Sequence, residues 1–279
     1  MCTKNKEWQI EVLKNEVELG KFKAAVFDFD GTISLIREGW QQVMIPYFIE
    51  ELLKTPNAED KESISRCVRD FVDFLTGKQT IYQCIRLTEE IQARGGKPED
   101  PLEYKMEYHK RLMERIEYRI RGLKEGTIKP EDAVVPGSFE LLNMLRERGL
   151  VLYLASGTDE NYVLEEAELL GVTKYFNGGI YGAKDQYKLF SKALVIQNII
   201  NTHELAGKEL IGFGDGYVEI ENVKSVNGFA VGVASDEVNK SGIDEWKRNR
   251  LSRAGADIII PDYKQTKKIE EYIFPGKVV

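Results

Sequence analysis

The chain is poor in the residues that build metal cages and covalent frameworks: among 279 residues it has three cysteines and two histidines. Cys2, Cys67 and Cys84 show no C-x-x-C spacing, and His109 and His203 stand apart, so neither a zinc site nor a disulfide scaffold is expected. A reducing, cytoplasmic setting is the corresponding expectation. Long hydrophobic runs are missing as well. The N-terminus lacks the apolar stretch of a signal peptide and no segment approaches the length of a bilayer span, which excludes a membrane partner. Positive charge is not in excess: the formal net charge is −7, against a surface that tracks a nucleic-acid backbone with clustered Lys and Arg. The most basic stretch, Trp246 to Arg253 with Lys247, Arg248, Arg250 and Arg253, reads as a solvated helix face. There is no G-x-x-x-x-G-K-[ST] and hence no P-loop. Gly212-Phe213-Gly214 opens like a dinucleotide-binding turn, but Tyr217 occupies the place of its third glycine.

What remains is the composition of a packed globular protein, 42% hydrophobic and 30% charged, long enough for one large or two smaller domains. Five short apolar runs end abruptly in Gly, Asp or Ser: Ala24–Phe27, Val151–Leu154, Leu210–Phe213, Phe229–Val231 and Ile258–Ile260. Runs this apolar predict strands buried on both faces. Helical patterns lie between them, as in Leu141-Leu142-Met144-Leu145 and Leu189-Ala193-Ile196-Ile200. The alternation predicts an α/β protein with a doubly wound, Rossmann-like parallel sheet. From about Leu35 to Lys129 the rhythm breaks into helix patterns alone, with Ile64, Val68, Phe71, Val72 and Leu75 before Gly77, and Met106, Met113, Ile116 and Ile120 before Gly126. We expect a core domain of residues 1–34 and 131–279 with an inserted all-helical cap of residues 35–130. The crossings should fall just after Thr32 and between Lys129 and Gly137. Trp8, Ile10, Val12, Leu13 and Val17 suggest an amphipathic N-terminal helix on the sheet domain.

Directly after the first predicted strand comes Asp28-Phe29-Asp30-Gly31-Thr32. Two carboxylates thus stand at the carboxyl end of a buried strand, where open α/β sheets bind ligands. Gly31 permits a sharp turn, so the two can approach one substrate from different directions. One is suited to act as nucleophile and metal ligand, the other to give a proton to a leaving oxygen and later take one from water.

At this point the chain resembles the haloacid dehalogenase-like phosphatases, whose first motif is a strand followed by D-x-D-G-T. Three further motifs follow in family order. Ser156, closing Val151–Ala155, matches a Ser or Thr that donates to a phosphoryl oxygen, with Gly157 beside it. Lys188, in Lys188-Leu189-Phe190-Ser191-Lys192-Ala193, matches the phosphate lysine, with Lys184 and Lys192 as rivals. Asp215, after Leu210–Gly214, matches the metal-binding acid. The family's usual second Asp four residues on is here Glu219, which departs from the pattern. The resemblance implies Asp28 as nucleophile, Asp30 as acid and base, and Gly31, Thr32 and Gly157 on the phosphate side. It also implies Mg²⁺ held by Asp28, Asp30 (through its main-chain carbonyl), Asp215 and Glu219. A helical insertion after the first motif is similar to the family's cap, which would read the leaving group of a small phosphate ester; Arg37 and Lys78 are candidate contacts to a second anionic group. The function so implied is a phosphatase working through an aspartyl-phosphate on a small metabolite such as a sugar phosphate or a phosphoglycolate-like acid. A phosphomutase of the β-phosphoglucomutase type and a silent phosphate-binding protein are the alternatives.

Overall fold

The computed structural model describes residues 8–14, 18–184 and 191–276. Among them seven strands form one sheet: β1 (Glu11–Val12), β2 (Ala24–Phe27), β3 (Val151–Asp159), β4 (Gly179–Ala183), β5 (Leu210–Gly214), β6 (Phe229–Val233) and β7 (Ile258–Ile260). Their spatial order is β1-β7-β6-β5-β2-β3-β4, and every pairing is parallel except that of β1 with β7. The chain lays β3 and β4 outward on one side of β2, then returns to lay β5, β6 and β7 on the other. This reversal makes the carboxyl ends of β2 and β5 the switch point of the sheet, where a crevice opens.

Both faces of the sheet are covered at its centre, which is why β2, β5, β6 and β7 are buried along their whole length. Side chains alternate across the pleat: Ala25 and Phe27 enter one core, Ala24 and Val26 the other. At the centre of the first core Phe27 of β2 stacks on Phe213 of β5 with ring centroids 4.5 Å apart. The covering helices are α5 (Ser138–Glu147), α6 (Glu160–Leu169), α7 (Lys192–Thr202), α8 (Tyr217–Ser225), α9 (Glu245–Ala254) and α10 (Thr266–Ile273).

Between β2 and α5 lie four helices, α1 (Gln41–Leu53), α2 (Lys61–Leu75), α3 (Thr80–Ala93) and α4 (Pro101–Glu125). Two of them, α2 and α4, begin with a capping aspartate. The Asp60 side chain accepts from the Glu62 and Ser63 N–H groups, and Asp100 precedes Pro101 at the first turn of α4. The expected stripe Ile64, Val68, Phe71, Val72 and Leu75 is buried. Of the stripe expected on α4, Ile116 is buried and Met113 and Ile120 pack against the core, but Met106 is 62% exposed, and the buried line continues instead through Tyr104, Tyr108 and Leu112. Tyrosines escaped an apolar count, although their rings pack as well as any aliphatic group. The chain leaves and rejoins the sheet layer side by side, with Leu35 N–H donating to Ala133 O and Val135 N–H to Ile33 O, each at 2.9 Å.

Two strands escaped the sequence. β4 is a glycine-containing segment whose residues at Gly179, Ile180 and Tyr181 are only half-buried, and among the described residues 8–14 the strand β1 stands in place of the expected N-terminal helix, Val17 lying outside the described residues. Trp8 and Ile10 do pack on the core, but from extended backbone, with Trp8 Nε1 donating to Asp262 at 2.8 Å. No helix among the described residues is long and apolar enough to cross a membrane.

Candidate active site

The turn after β2 is held by the strands beside it. Asp28 N–H donates to Phe213 O at 2.9 Å, so the carboxylate that follows β2 is fixed against the end of β5. The chain then reverses through Gly31 at φ +74°, a conformation that glycine adopts without strain. Its missing Cβ also matters: a methyl there would collide with the Asp215 carboxylate. Thr32 is not on the cleft surface. It is fully buried, its hydroxyl accepts from Asp215 N–H at 3.0 Å, and its carbonyl accepts from Tyr263 Oη at 3.0 Å.

Asp28, Asp30, Ser156, Gly157, Lys192 and Asp215 line one cleft at the switch point, together with Arg37 and Lys78. Asp28 is buried, and the ammonium of Lys192 donates to its Oδ1 at 2.7 Å. Burial pushes the Asp28 carboxyl well above the usual aspartate value against the pull of Lys192, and the charges of Glu219 and Asp215 push it further. Asp30 stands apart from that ammonium. Thr158 Oγ1 donates to its Oδ2 at 2.8 Å, Ser156 Oγ lies 3.5 Å from the same oxygen, and Oδ1 is buried without a hydrogen-bond partner, 4.0 Å from Arg37 Nε. Burial raises the Asp30 carboxyl too, opposed by Arg37 and by the Thr158 bond, which leaves it disposed to hold a proton.

Lys188 lies outside the described residues. Of its two rivals, Lys184 is exposed and 3.8 Å from Glu160, whereas Lys192 opens α7 and is buried between two acids. Its second acceptor is Glu219 Oε1. Glu219 therefore sits behind Lys192 and off the cleft, its Oε2 buried and unpartnered against the loop at Gly216 and Gly77. Arg37 is buried in a bidentate pair with Glu166, Nη2 to Oε1 at 2.6 Å and Nε to both oxygens at 3.0 and 3.1 Å, and its Nε lies 4.0 Å from Asp30. Lys78 faces the cleft with its ammonium 5.6 Å from the Phe74 ring centre. Its main-chain carbonyl would lie 3.0 Å from a Cβ on Gly157, so the loop between α2 and α3 closes down on β3.

Three participants were missed. Thr158 stands two residues beyond Ser156 with no motif to mark it; its hydroxyl makes the shortest hydrogen bond to Asp30. Lys247 belongs to the stretch expected to be solvated, yet it is buried on α9 with its ammonium 2.8 Å from Asp215 and 2.6 Å from Glu237. Glu237 lies in an irregular stretch after β6, and no spacing rule links either residue to Asp215. Their signal is three-dimensional only.

No group of three or more His, Cys, Asp or Glu among the described residues forms a ready metal cage. The donor set nevertheless suits a hard cation that keeps its waters. Asp28 and Asp215 both open onto the cleft; burial is what chiefly raises the Asp28 carboxyl, with Glu219 and Asp215 adding to it, and a divalent ion between the two aspartates would offset both effects.

The haloacid dehalogenase-like hydrolase family profile matches residues 22–226. No curated protein matches the sequence. Among solved structures, a predicted phosphoglycolate phosphatase from Haemophilus somnus 129PT superimposes with a TM-score of 0.60 at 16% identity, covering 90% of this chain and 99% of that one. A β-phosphoglucomutase from Clostridium difficile gives 0.57 at 17% identity, covering 90% and 99%. A predicted phosphatase from Clostridium acetobutylicum gives 0.57 at 20%, again covering 90% and 99%. At these identities the likeness is one of fold. With the family profile spanning all four motifs, from the β2 turn to α8, the chain belongs to the haloacid dehalogenase-like hydrolases.

Proposed function

We propose that the chain is a magnesium-dependent phosphatase that hydrolyses a small phosphate monoester through an aspartyl-phosphate on Asp28. The observation that carries this reading is the division of labour between two carboxylates in one cleft: Asp28 against the Lys192 ammonium, Asp30 beneath the Thr158 hydroxyl. Two carboxyl groups with different partners are suited to different roles, one as nucleophile and one as proton donor.

The side chains of Asp28 and Asp215 and the main-chain carbonyl of Asp30 would hold magnesium, which when bound supplies the positive charge that keeps Asp28 anionic beside a phosphoryl group. Asp28 attacks phosphorus, forming an O–P bond as the bond to the leaving oxygen breaks. Asp30 gives its proton to that oxygen. It then takes a proton from the water that attacks the phospho-aspartate, releasing phosphate and restoring Asp28. Lys192, in the role first assigned to Lys188, faces the transferring group, with Ser156 on its other side. Glu219 orients Lys192 and need not touch the ion.

Residues 35–130 act as a cap over a core of residues 1–34 and 131–279. Trp40, Met44, Gln83, Tyr108 and Leu112 of that segment line the cleft opposite the carboxylates, where a leaving group would sit. The confined cleft favours a metabolite over a macromolecule. Because a β-phosphoglucomutase shares the fold, return of the phosphoryl group to a sugar is the competing fate. A screen of phosphorylated metabolites for released phosphate, with and without Mg²⁺ and without a bisphosphate activator, separates the two. Phosphate release that survived Asp28→Asn would overturn the assigned nucleophile.

A further inference from the structure

A second buried lysine, behind Asp215 and off the cleft, has no place in that mechanism, and its surroundings are unusually complete. Lys247 carries three ammonium protons and has three acceptors: Glu237 Oε1 at 2.6 Å, Asp215 Oδ2 at 2.8 Å and Ser235 Oγ at 3.3 Å. Ser235 in turn donates to Gly31 O at 2.7 Å, so the network reaches the turn that carries Asp30. Glu237 approaches the same turn: its Oε1 would lie 3.0 Å from a Cβ on Gly31, beside the Asp215 carboxylate. A lysine so enclosed is held as a fixed charge rather than as a solvated one.

The arrangement repeats what surrounds the nucleophile. Lys192 bridges Asp28 and Glu219; Lys247 bridges Asp215 and Glu237. Each triad combines two carboxylates with one ammonium and keeps one net negative charge. The two residual charges face each other through Asp28 and Asp215 and together equal the charge of one divalent cation.

We propose that Lys247 and Glu237 form a counter-charge pair that positions Asp215 and sets the affinity of the cleft for its divalent cation. This rests on the magnesium reading above. Lys247 engages Oδ2 of Asp215 and leaves its other oxygen for the ion. By placing an ammonium near the bound cation it also weakens that binding, and Glu237 counters the effect. Both are positioning residues, since neither lines the cleft.

The charge argument makes a prediction that a purely structural role does not. Calorimetric titration of the full-length chain with Mg²⁺ should give a Kd roughly tenfold lower for Lys247→Met and roughly tenfold higher for Glu237→Gln, because removing opposite charges changes the local field in opposite directions. The double variant Lys247→Met/Glu237→Gln restores the balance and should return to within about threefold of the unmodified chain. If the single variants shift Kd in the same direction, or neither shifts it, the counter-charge role is wrong and the pair is only scaffolding. Should Lys247→Met not fold, as judged by circular dichroism, Glu237→Gln and the double variant decide: an unchanged Glu237→Gln, or a double variant as weak as Glu237→Gln, overturns the proposal. An unmodified chain that binds no Mg²⁺ overturns the magnesium reading and this inference together, whereas normal binding with same-sign shifts overturns this inference alone.

Discussion

The backbone N–H of Asp215 hangs on the hydroxyl of Thr32 at 3.0 Å, joining the turn after β5 to the turn after β2 beneath the cleft. Since Thr32 is fully buried, Thr32→Val keeps the shape, deletes the acceptor and strands an amide. We expect the unfolding free energy to fall by about 1–3 kcal/mol. Urea denaturation with an unchanged slope checks this. An unaltered midpoint would mean that the amide has another partner.

Thr158 is one of the groups that bear on the carboxyl of Asp30. Burial raises the Asp30 carboxyl while Arg37 and the Thr158 hydrogen bond pull it down. Thr158→Val removes the second of these, so the alkaline limb of the kcat/KM profile should move to higher pH. The sign for stability follows from linkage. A carboxyl raised by folding adds stability that is full below its unfolded value and lost as pH climbs through the folded one. Deleting a bond that favours the charged form therefore costs more on the alkaline side, and thermal melts of both proteins across that range measure it.

Arg37 and Glu166 form a buried bidentate pair, and burial pushes the Glu166 carboxyl up to about 7 even against Arg37. Arg37→Met alone should cost about 3–5 kcal/mol by leaving Glu166 without its counter-ion. Adding Glu166→Leu should recover most of that. The single variant's penalty should shrink as pH is lowered, because Glu166 then takes up a proton. Chemical denaturation on either side of neutrality tests both statements.

Tyr217, at the start of α8, donates its hydroxyl to Phe74 O at the end of α2 with a distance of 2.8 Å. This joins the helical segment to the sheet layer beside the cleft. Tyr217→Phe removes about 0.5–1.5 kcal/mol of contact that favours the closed arrangement. Hydrogen exchange in the loop between α2 and α3 should accelerate while exchange in β2 and β5 stays the same. Equal acceleration in the strands would indicate general destabilisation instead.

The central strands were legible because their burial on both faces leaves continuous apolar runs, and Asp28, Asp30, Ser156 and Asp215 because each follows such a run. β4 was not, since its half-buried, glycine-containing segment draws its stability from the register with β3 rather than from its own composition. The approach of Lys192 to Asp28 depends on the helix register, which no local pattern announces. Ser191 caps α7 by accepting from Leu194 N–H at 3.2 Å, which sets Lys192 as the first helical residue and aims it at Asp28. Lys247 was hidden for the opposite reason. Three of the four basic residues around Trp246 do remain at least partly exposed, and nothing local distinguishes the one that points inward.

The hydrogen bonds from Leu35 to Ala133 and from Val135 to Ile33 bring the outgoing and returning strands of the helical segment into direct contact. For the sheet layer, the gap to be bridged at that point is no wider than the mouth of a hairpin, whatever is carried beyond it. On the reading proposed above, helices of other lengths or shapes exchanged at this seam would leave the bond from Asp28 to Phe213 in place, and chemistry and selectivity would be free to evolve on separate parts of one polypeptide.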